Sequence, residues 1–315
     1  MTKKHTVITY FEARRNASDW AHMDILLYRS ENGGDTFSAP IVMANGTDMH
    51  PTVNNPVCIV DDDNTLHFLY CIDYSVGGGD VLYRRSDDDG ITWSAPRSIL
   101  EATKPELHNV FACGPGHGIR MQNGTLLVPI WMVKKEANVP LMEHSPSSVF
   151  TLYSKDHGDT WHLGAEIPMS AECRDPSETQ AALCADGSVY LNIRTACTGY
   201  RAYTVGKTGY DGWKCAVLDR TLPDPTCFGS TAAAVVDGQH MLAVVNCANQ
   251  TERKNLVLRI SLDDGATWKQ SFTVEPGDAG YADIAFTDDG TIYVLYEQRY
   301  GERERLAVIH VKELF

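Results

Sequence analysis

Runs of apolar residues are short throughout this 315-residue chain, and none approaches the ~18 uninterrupted positions that a membrane-spanning helix needs. The opening residues, Met1-Thr-Lys-Lys-His-Thr, lack the apolar stretch and small-residue cleavage site of a secretory leader. The expectation is therefore a cytoplasmic protein, with secretion the alternative if sequence is missing upstream. Paired-cysteine patterns are absent too. Nine cysteines, an odd number, are scattered with no CxxC and no Cys/His ligand spacing, which argues against a disulfide framework or a zinc site and for buried reduced thiols. Positive charge is scarce, with 27 Lys and Arg against 41 Asp and Glu and a net charge of −14. Nucleic acid and anionic membranes are held by clustered cations, so neither is an expected partner. Helical periodicity is nearly absent.

What is present is a repeat. Ser86-Asp-Asp-Asp-Gly-Ile-Thr-Trp93, Ser154-Lys-Asp-His-Gly-Asp-Thr-Trp161 and Ser261-Leu-Asp-Asp-Gly-Ala-Thr-Trp268 all fit S-x-D-x-G-x-T-W. Ser30-Glu-Asn-Gly-Gly-Asp-Thr-Phe37 is a variant of it, and Thr208-Gly-Tyr-Asp-Gly-Trp213 is a decayed copy. The starts step by roughly 50 to 70 residues, the scale of a propeller blade. Asp and Gly supply turn chemistry, and Thr with the aromatic residue re-enters a strand. A second set of turns interleaves with the first: Asp63-Asn-Thr, Asn123-Gly-Thr, Asp186-Gly-Ser, Asp237-Gly-Gln and Asp289-Gly-Thr each open an apolar run. Two hairpins per unit predict four-stranded antiparallel blades. The expected fold is all-β, a single six-bladed β-propeller domain over residues 1–315. Five units are legible, and the sixth blade is expected to be shared between the chain ends, with Leu306–Val311 as one of its strands. The repeated Asp and Trp residues are scaffold, because they recur in several units.

Residues outside the repeat carry the chemistry. Phe11-Glu-Ala-Arg14, then Asp19 five residues on, precede the first turn motif. Glu178 stands sixteen residues before Arg194, Arg253 lies just ahead of the last S-x-D-x-G-x-T-W unit, and Gly280-Tyr281 follows twenty-eight residues after Arg253, with Glu297 sixteen further on. In order and spacing this set resembles the sialidases, the exo-α-sialidase or neuraminidase family with Asp-box (BNR) repeats, from about Phe11 to Glu297. The resemblance implies that Asp19 is the acid/base, Tyr281 the nucleophile and Glu178 its partner. It implies that Arg14, Arg194 and Arg253 bind substrate and that Glu297 is the supporting glutamate, the one that in the family holds the first arginine of the triad. Arg259 is assigned to the blade surface. The loops Gly114-Pro-Gly-His-Gly118 and Leu222–Ser230 also look like family loops and are given no chemistry.

These residue types suit an acidic sugar. A sialic acid bears a carboxylate on its anomeric carbon, which planar guanidinium forks hold bidentately. A carboxylate nucleophile would be repelled there, whereas a phenol approaches uncharged; sialidases, with a tyrosine in that role, are an exception among glycosidases. The expected reaction is hydrolysis of terminal sialic acids with retention, needing no metal or organic cofactor. Asp19, Glu178, Arg194, Arg253 and Tyr281 are expected to meet in one axial cavity.

One element of the family pattern is missing. The first arginine of the family's triad lies in an aromatic-Arg-Ile-Pro segment, and residues 1–10 contain no arginine. This reads as a sequence shortened upstream, as reliance on two arginines plus Arg14 or a neighbour, or as lost catalysis. A frayed N-terminus is expected with it. The alternatives are a glycan-binding propeller without catalysis, for which Tyr281 and Glu178 would be superfluous, and a propeller glycosidase for another sugar.

Overall fold

The computed structural model describes residues 1–73, 79–104, 107–135, 144–196, 198–298 and 303–310. They are almost entirely β-structure, in two compact units, Met1–Leu163 and Gly164–Phe315. No helix among the described residues is long and apolar enough to cross a membrane.

The first unit holds three sheets. One is built from Val7–Arg14, Met23–Ser30 and Ile41–Asn45; the next centres on Val53–Val60, Leu66–Ile72 and Asp80–Ser86; the third centres on Leu126–Lys134 and Ser147–Ser154. Met23, Ile25 and Leu27 of the first sheet share a core with Leu66, Phe68 and Tyr70 of the second. Inner strands are therefore covered on both faces, and Leu126–Lys134 and Leu66–Ile72 are buried almost without a break instead of alternating. The N-terminal residues are not frayed. Thr2 and Thr6 are buried, and the Thr6 hydroxyl donates to Asp89 Oδ2 at 2.5 Å.

The second unit holds a four-stranded sheet, from Thr179–Leu183 to Val217–Pro223, and a six-stranded one running from Ser230–Val236 to Arg303–His310. This corrects the expected six blades: five sheets form among the described residues. The cause is the 17-residue strand Gln270–Phe286, whose first half pairs with Lys254–Ser261 and whose second half pairs with Thr291–Gln298. Two sets of strands are thereby fused. Nor is a sheet shared between the chain ends, since Val7–Arg14 belongs to the first sheet and Arg303–His310 to the last; Val311 lies outside the described residues. Leu256 and Val245 share one core with Ile284, Ile292 and Ile309, so the two halves of the fused sheet pack on each other.

The repeat motif is a hydrogen-bonded turn. In Ser86–Trp93 the Ser86 hydroxyl donates to Asp88 Oδ1 (2.9 Å) and accepts from the Gly90 amide (2.9 Å), while the Thr92 amide and hydroxyl donate to the two Asp88 oxygens (2.8 and 2.6 Å). The Ser154 and Ser261 copies repeat the four bonds, and Asn32 substitutes for the aspartate in the Ser30 copy.

Candidate active site

The second unit assembles its polar centre from two hairpins. Strands Thr179–Leu183 and Val189–Ile193 pair antiparallel, and the ladder continues one step outward: the Arg194 amide donates to the Glu178 carbonyl (3.0 Å) and the Ser177 amide to the Arg194 carbonyl (3.0 Å). Glu178 and Arg194 are thus cross-strand partners on one face, with the Asp186-Gly turn midway between them in sequence. Their side chains form an ion pair through Arg194 Nη1 and Glu178 Oε2.

Tyr281 comes from the long strand. Pairing with Thr291–Gln298 slips by one residue between Ala279 and Ala282, so Gly280-Tyr281 is a β-bulge, a device that turns a side chain out of its regular direction. Glu297 anchors it: the Tyr281 amide donates to Glu297 Oε2 at 3.1 Å. A Cβ on residue 280 would stand 2.4 Å from that oxygen, so a side chain there would push the Glu297 carboxylate away from the Tyr281 amide. The Tyr281 hydroxyl donates to Glu178 Oε1 at 2.5 Å and accepts from Arg194 Nη1 at 2.9 Å. Arg253, whose carbonyl accepts from the Ala279 amide, places its guanidinium 5.5 Å from the centre of the Tyr281 ring. Phe228 packs on the ring's flank at 5.3 Å.

The electrostatics distinguish the four groups. Burial, and next the Glu178 charge, push the Tyr281 phenol well above its ordinary value, with Arg194 pulling the other way; it is a neutral hydroxyl at physiological pH. Burial works against the charge on Arg194, but the Glu178 carboxylate outweighs it and holds that guanidinium protonated. For Arg253 burial again opposes the charge, and the Glu178 carboxylate helps hold it up. Arg194 is neutralised by Glu178, whereas no carboxylate among the described residues forms an ion pair with Arg253. The two guanidiniums thus gather positive charge around Tyr281 inside a chain of net charge −14.

In the first unit, Arg14 and Asp19 lie together. Arg14 Nη1 donates to Asp19 Oδ1 at 2.8 Å, and Arg14 Nε donates to Glu12 Oε2 at 2.7 Å. Burial opposes the Arg14 charge, and Glu12 and Asp19 raise it above its ordinary value. Glu12 Oε1 also accepts from the Asn55 amide at 2.8 Å. Glu12 and Phe228 escaped the sequence reading. The period-2 spacing of Glu12 and Arg14 on one strand was the available signal for the first, and nothing local marks the second.

Arg259, assigned to the blade surface, is half-buried and donates from Nη1 to Asn246 Oδ1 at 3.0 Å. In the Leu222–Ser230 loop, Asp224 and Arg201 are both buried and face each other at 3.4 Å, and Arg201 also donates to Asn192 Oδ1 and to the Cys227 carbonyl. Among the described residues, Asp61, Asp63 and His157 bring three metal-type donor atoms within 4.8 Å of one another. Asp61 is already occupied as a turn-capping acceptor for the Asp63 and Thr65 amides and as the partner of His67, so the grouping reads as turn structure.

A BNR repeat-like domain model matches residues 4–294. The chain is 30% identical over 308 residues to a sialidase of Micromonospora viridifaciens, covering 89% of this chain and 45% of that protein. It is 28% identical to a Bacteroides fragilis sialidase, covering 94% of this chain and 58% of that one. Among solved structures, a Hadza microbial sialidase superposes with a TM-score of 0.88 at 25% identity over 100% of this chain and 65% of that one. A leech intramolecular trans-sialidase superposes with a TM-score of 0.83 at 17% identity, over 99% of this chain and 67% of that one. The fold is that of an all-β propeller. The chain belongs to the BNR-repeat sialidase family, and it spans about half the length of these two curated relatives.

Proposed function

We propose that this protein is a retaining exo-sialidase, a glycoside hydrolase that releases terminal sialic (nonulosonic) acids from glycoconjugates through a tyrosine nucleophile. The observation that carries the reading is the Tyr281 hydroxyl, 2.5 Å from a Glu178 oxygen, beneath an Arg253 guanidinium that no described carboxylate neutralises. A site that only recognised a carboxylate would need the arginines but no buried phenol–carboxylate pair.

The family pattern supplies the roles, and the contacts of Tyr281 with Glu178, Arg194 and Arg253 support those of the second unit. Arg194 and Arg253 bind the sugar carboxylate, the second with its charge uncommitted. Tyr281 Oη attacks the anomeric carbon as Glu178 takes its proton, so charge is never placed on the phenol ahead of bond formation. Asp19 protonates the departing glycosidic oxygen. The glycosyl–tyrosine bond is then broken by water that Asp19 deprotonates, and Glu178 returns the phenolic proton. Two displacements give net retention. Arg14 holds Asp19, and Glu12 holds Arg14.

The test is trapping with a 2,3-difluorosialic acid, in which fluoride leaves from C2 and the fluorine at C3 slows hydrolysis of the intermediate. A single sugar adduct on the peptide containing Tyr281, absent from Tyr281→Phe, is expected by mass spectrometry. An adduct on a carboxylate, or undiminished sialoside turnover by Tyr281→Phe, would refute the mechanism.

A further inference from the structure

Arg201 is wholly buried, and its guanidinium meets backbone more closely than it meets charge. A bulge in the pairing between Tyr200 and Arg201 marks where it leaves the regular strand. Nη1 donates to the Cys227 carbonyl at 2.7 Å and Nε donates to Asn192 Oδ1, while Asp224 Oδ2 stands off at 3.4 Å. Asp224 grips the same residue, its Oδ1 accepting from the Cys227 amide at 3.1 Å. Both backbone groups of Cys227 are thus held. The residue before it, Thr226, stands at φ +61°, a left-handed conformation that a β-branched residue adopts only under constraint. The residue after it, Phe228, is 2% exposed and meets the Tyr281 ring at 5.3 Å and 45°. Asn192 lies in the strand that leads into Arg194, so one guanidinium fastens the loop carrying Phe228 to the hairpin carrying Glu178 and Arg194. A buried ion pair this long is weak stabilisation, since desolvation offsets its attraction; what the arginine does supply is a fixed geometry for the loop.

We infer that Arg201 is a positioning residue for the nucleophile: by clamping Cys227 it holds the strained turn at Thr226 and so seats Phe228 against Tyr281, in the orientation in which the phenol meets Glu178. This rests on the reading of Tyr281 as the nucleophile. The path closes on itself, running from the Glu178–Arg194 hairpin through Asn192 and Arg201 to Cys227, from Phe228 to Tyr281, and from the Tyr281 hydroxyl back to Glu178. In the covalent step the Tyr281 oxygen bonds to the anomeric carbon, its proton passes to Glu178, and the leaving group departs with the electrons of the bond it breaks. That step depends on the aim of the phenol, and a misplacement of about 1 Å costs up to about a hundredfold in rate. Arg201 touches no reacting atom. The sugar carboxylate is bound by Arg194 and Arg253, so loosening the clamp slows the step and spares binding.

The experiment follows adduct formation on Tyr281 from a 2,3-difluorosialic acid, which gives a maximal rate and a half-saturating concentration for each variant. Arg201→Lys keeps a charge beside Asp224 but offers one nitrogen in place of a fork. It is expected to slow the maximal rate about tenfold, with the half-saturating concentration within about twofold of wild type. Phe228→Ala should do the same, and the two together should cost little more than either alone, because they break one path. Thr226→Gly should restore most of the rate to Arg201→Lys, since glycine adopts a positive φ without a clamp. Where Arg201→Lys does not fold, Arg201→Leu combined with Asp224→Asn leaves no unpaired charge in the core and carries the same expectation. Losses that multiply, a changed half-saturating concentration at an unchanged maximal rate, or a maximal rate indifferent to Arg201 would each overturn the inference and leave the nucleophile in place. Failure of Thr226→Gly to restore the rate would reduce Arg201 to a structural residue. A wild-type protein that forms no adduct would instead overturn the sialidase reading, and the positioning role with it.

Discussion

Arg194 and Arg253 flank one phenol but are in different states, and the difference assigns them different work. Arg194 is already paired with Glu178, so part of its charge is spent on that carboxylate. Arg253 makes no ion pair with a described residue and rests against the face of Tyr281, which leaves its fork for a bidentate anion. The consequence is testable at this one position. Arg253→Lys keeps the charge and breaks no ion pair with a described residue, so thermal stability should stay near wild type. It replaces a planar fork by a point charge, losing one charge-assisted hydrogen bond to substrate, and kcat/KM for a sialoside should fall roughly ten- to hundredfold. Unchanged kcat/KM would mean that Arg253 does not bind the carboxylate. The Glu178–Arg194 pair was open to reading from sequence, because a turn at Asp186-Gly places residues equidistant from it opposite each other. Phe228 was hidden, since its contact with Tyr281 spans 53 residues and follows no period.

Turns and strands obey local chemistry, and there the sequence was informative up to the points where pairing overrides it. The S-x-D-x-G-x-T-W units fold as read because the Ser, Asp and Thr side chains that recur in the motif find their bonds inside it. Glu275-Pro-Gly-Asp, by contrast, reads as a strand breaker. The strand nevertheless runs through it, because the register with Lys254–Ser261 shifts twice around Leu256 and accommodates Pro276 where no ladder bond is needed. That single continuity is why five sheets form where six were expected. The bulge at Gly280-Tyr281 was equally invisible, being fixed by Glu297 across the ladder. Two glycines separate backbone conformation from packing at this scale. Gly124 and Gly158 share a positive φ, +87° and +86°, but a Cβ at 124 would meet only Arg120 Nη2 at 3.8 Å, whereas at 158 it would meet Tyr83 Oη at 2.4 Å and His67 Nδ1 at 2.9 Å. Gly124→Ala should cost about 1–2 kcal/mol for the left-handed backbone alone. Gly158→Ala should cost a further ~1–3 kcal/mol for overpacking. Urea midpoints measure both, and equal costs would show that the Tyr83 side chain yields freely.

For the molecule as a whole, acidity is set against the turns that hold the sheets. The Thr92 hydroxyl and amide hold the Asp88 carboxyl down at about 2, and at Asp156 the Thr160 hydroxyl and amide do the same against an opposing effect of burial. Asp263 is lowered by Thr267 and Ser261 in the same way. Unfolded, each carboxyl would return to about 3.9. The unfolded chain therefore binds more protons than the folded one between these values, so stability rises with pH across that window. The contribution of the three turns is complete above about pH 4 and disappears as the pH falls through about 2. Over the range from neutral pH to about 5, the −14 net charge diminishes and self-repulsion eases, which pushes the other way. Urea denaturation at low salt should thus show stability level or rising from pH 7 to 5 and then dropping steeply between 4 and 2. In the triple variant Asp88→Asn, Asp156→Asn, Asp263→Asn the turns keep an amide oxygen as acceptor but lose the titrating charge. Its stability at neutral pH should be lower than wild type and its decline between pH 4 and 2 shallower, with the two curves converging at the acid end; parallel curves would place the acid sensitivity elsewhere than in the repeated turns.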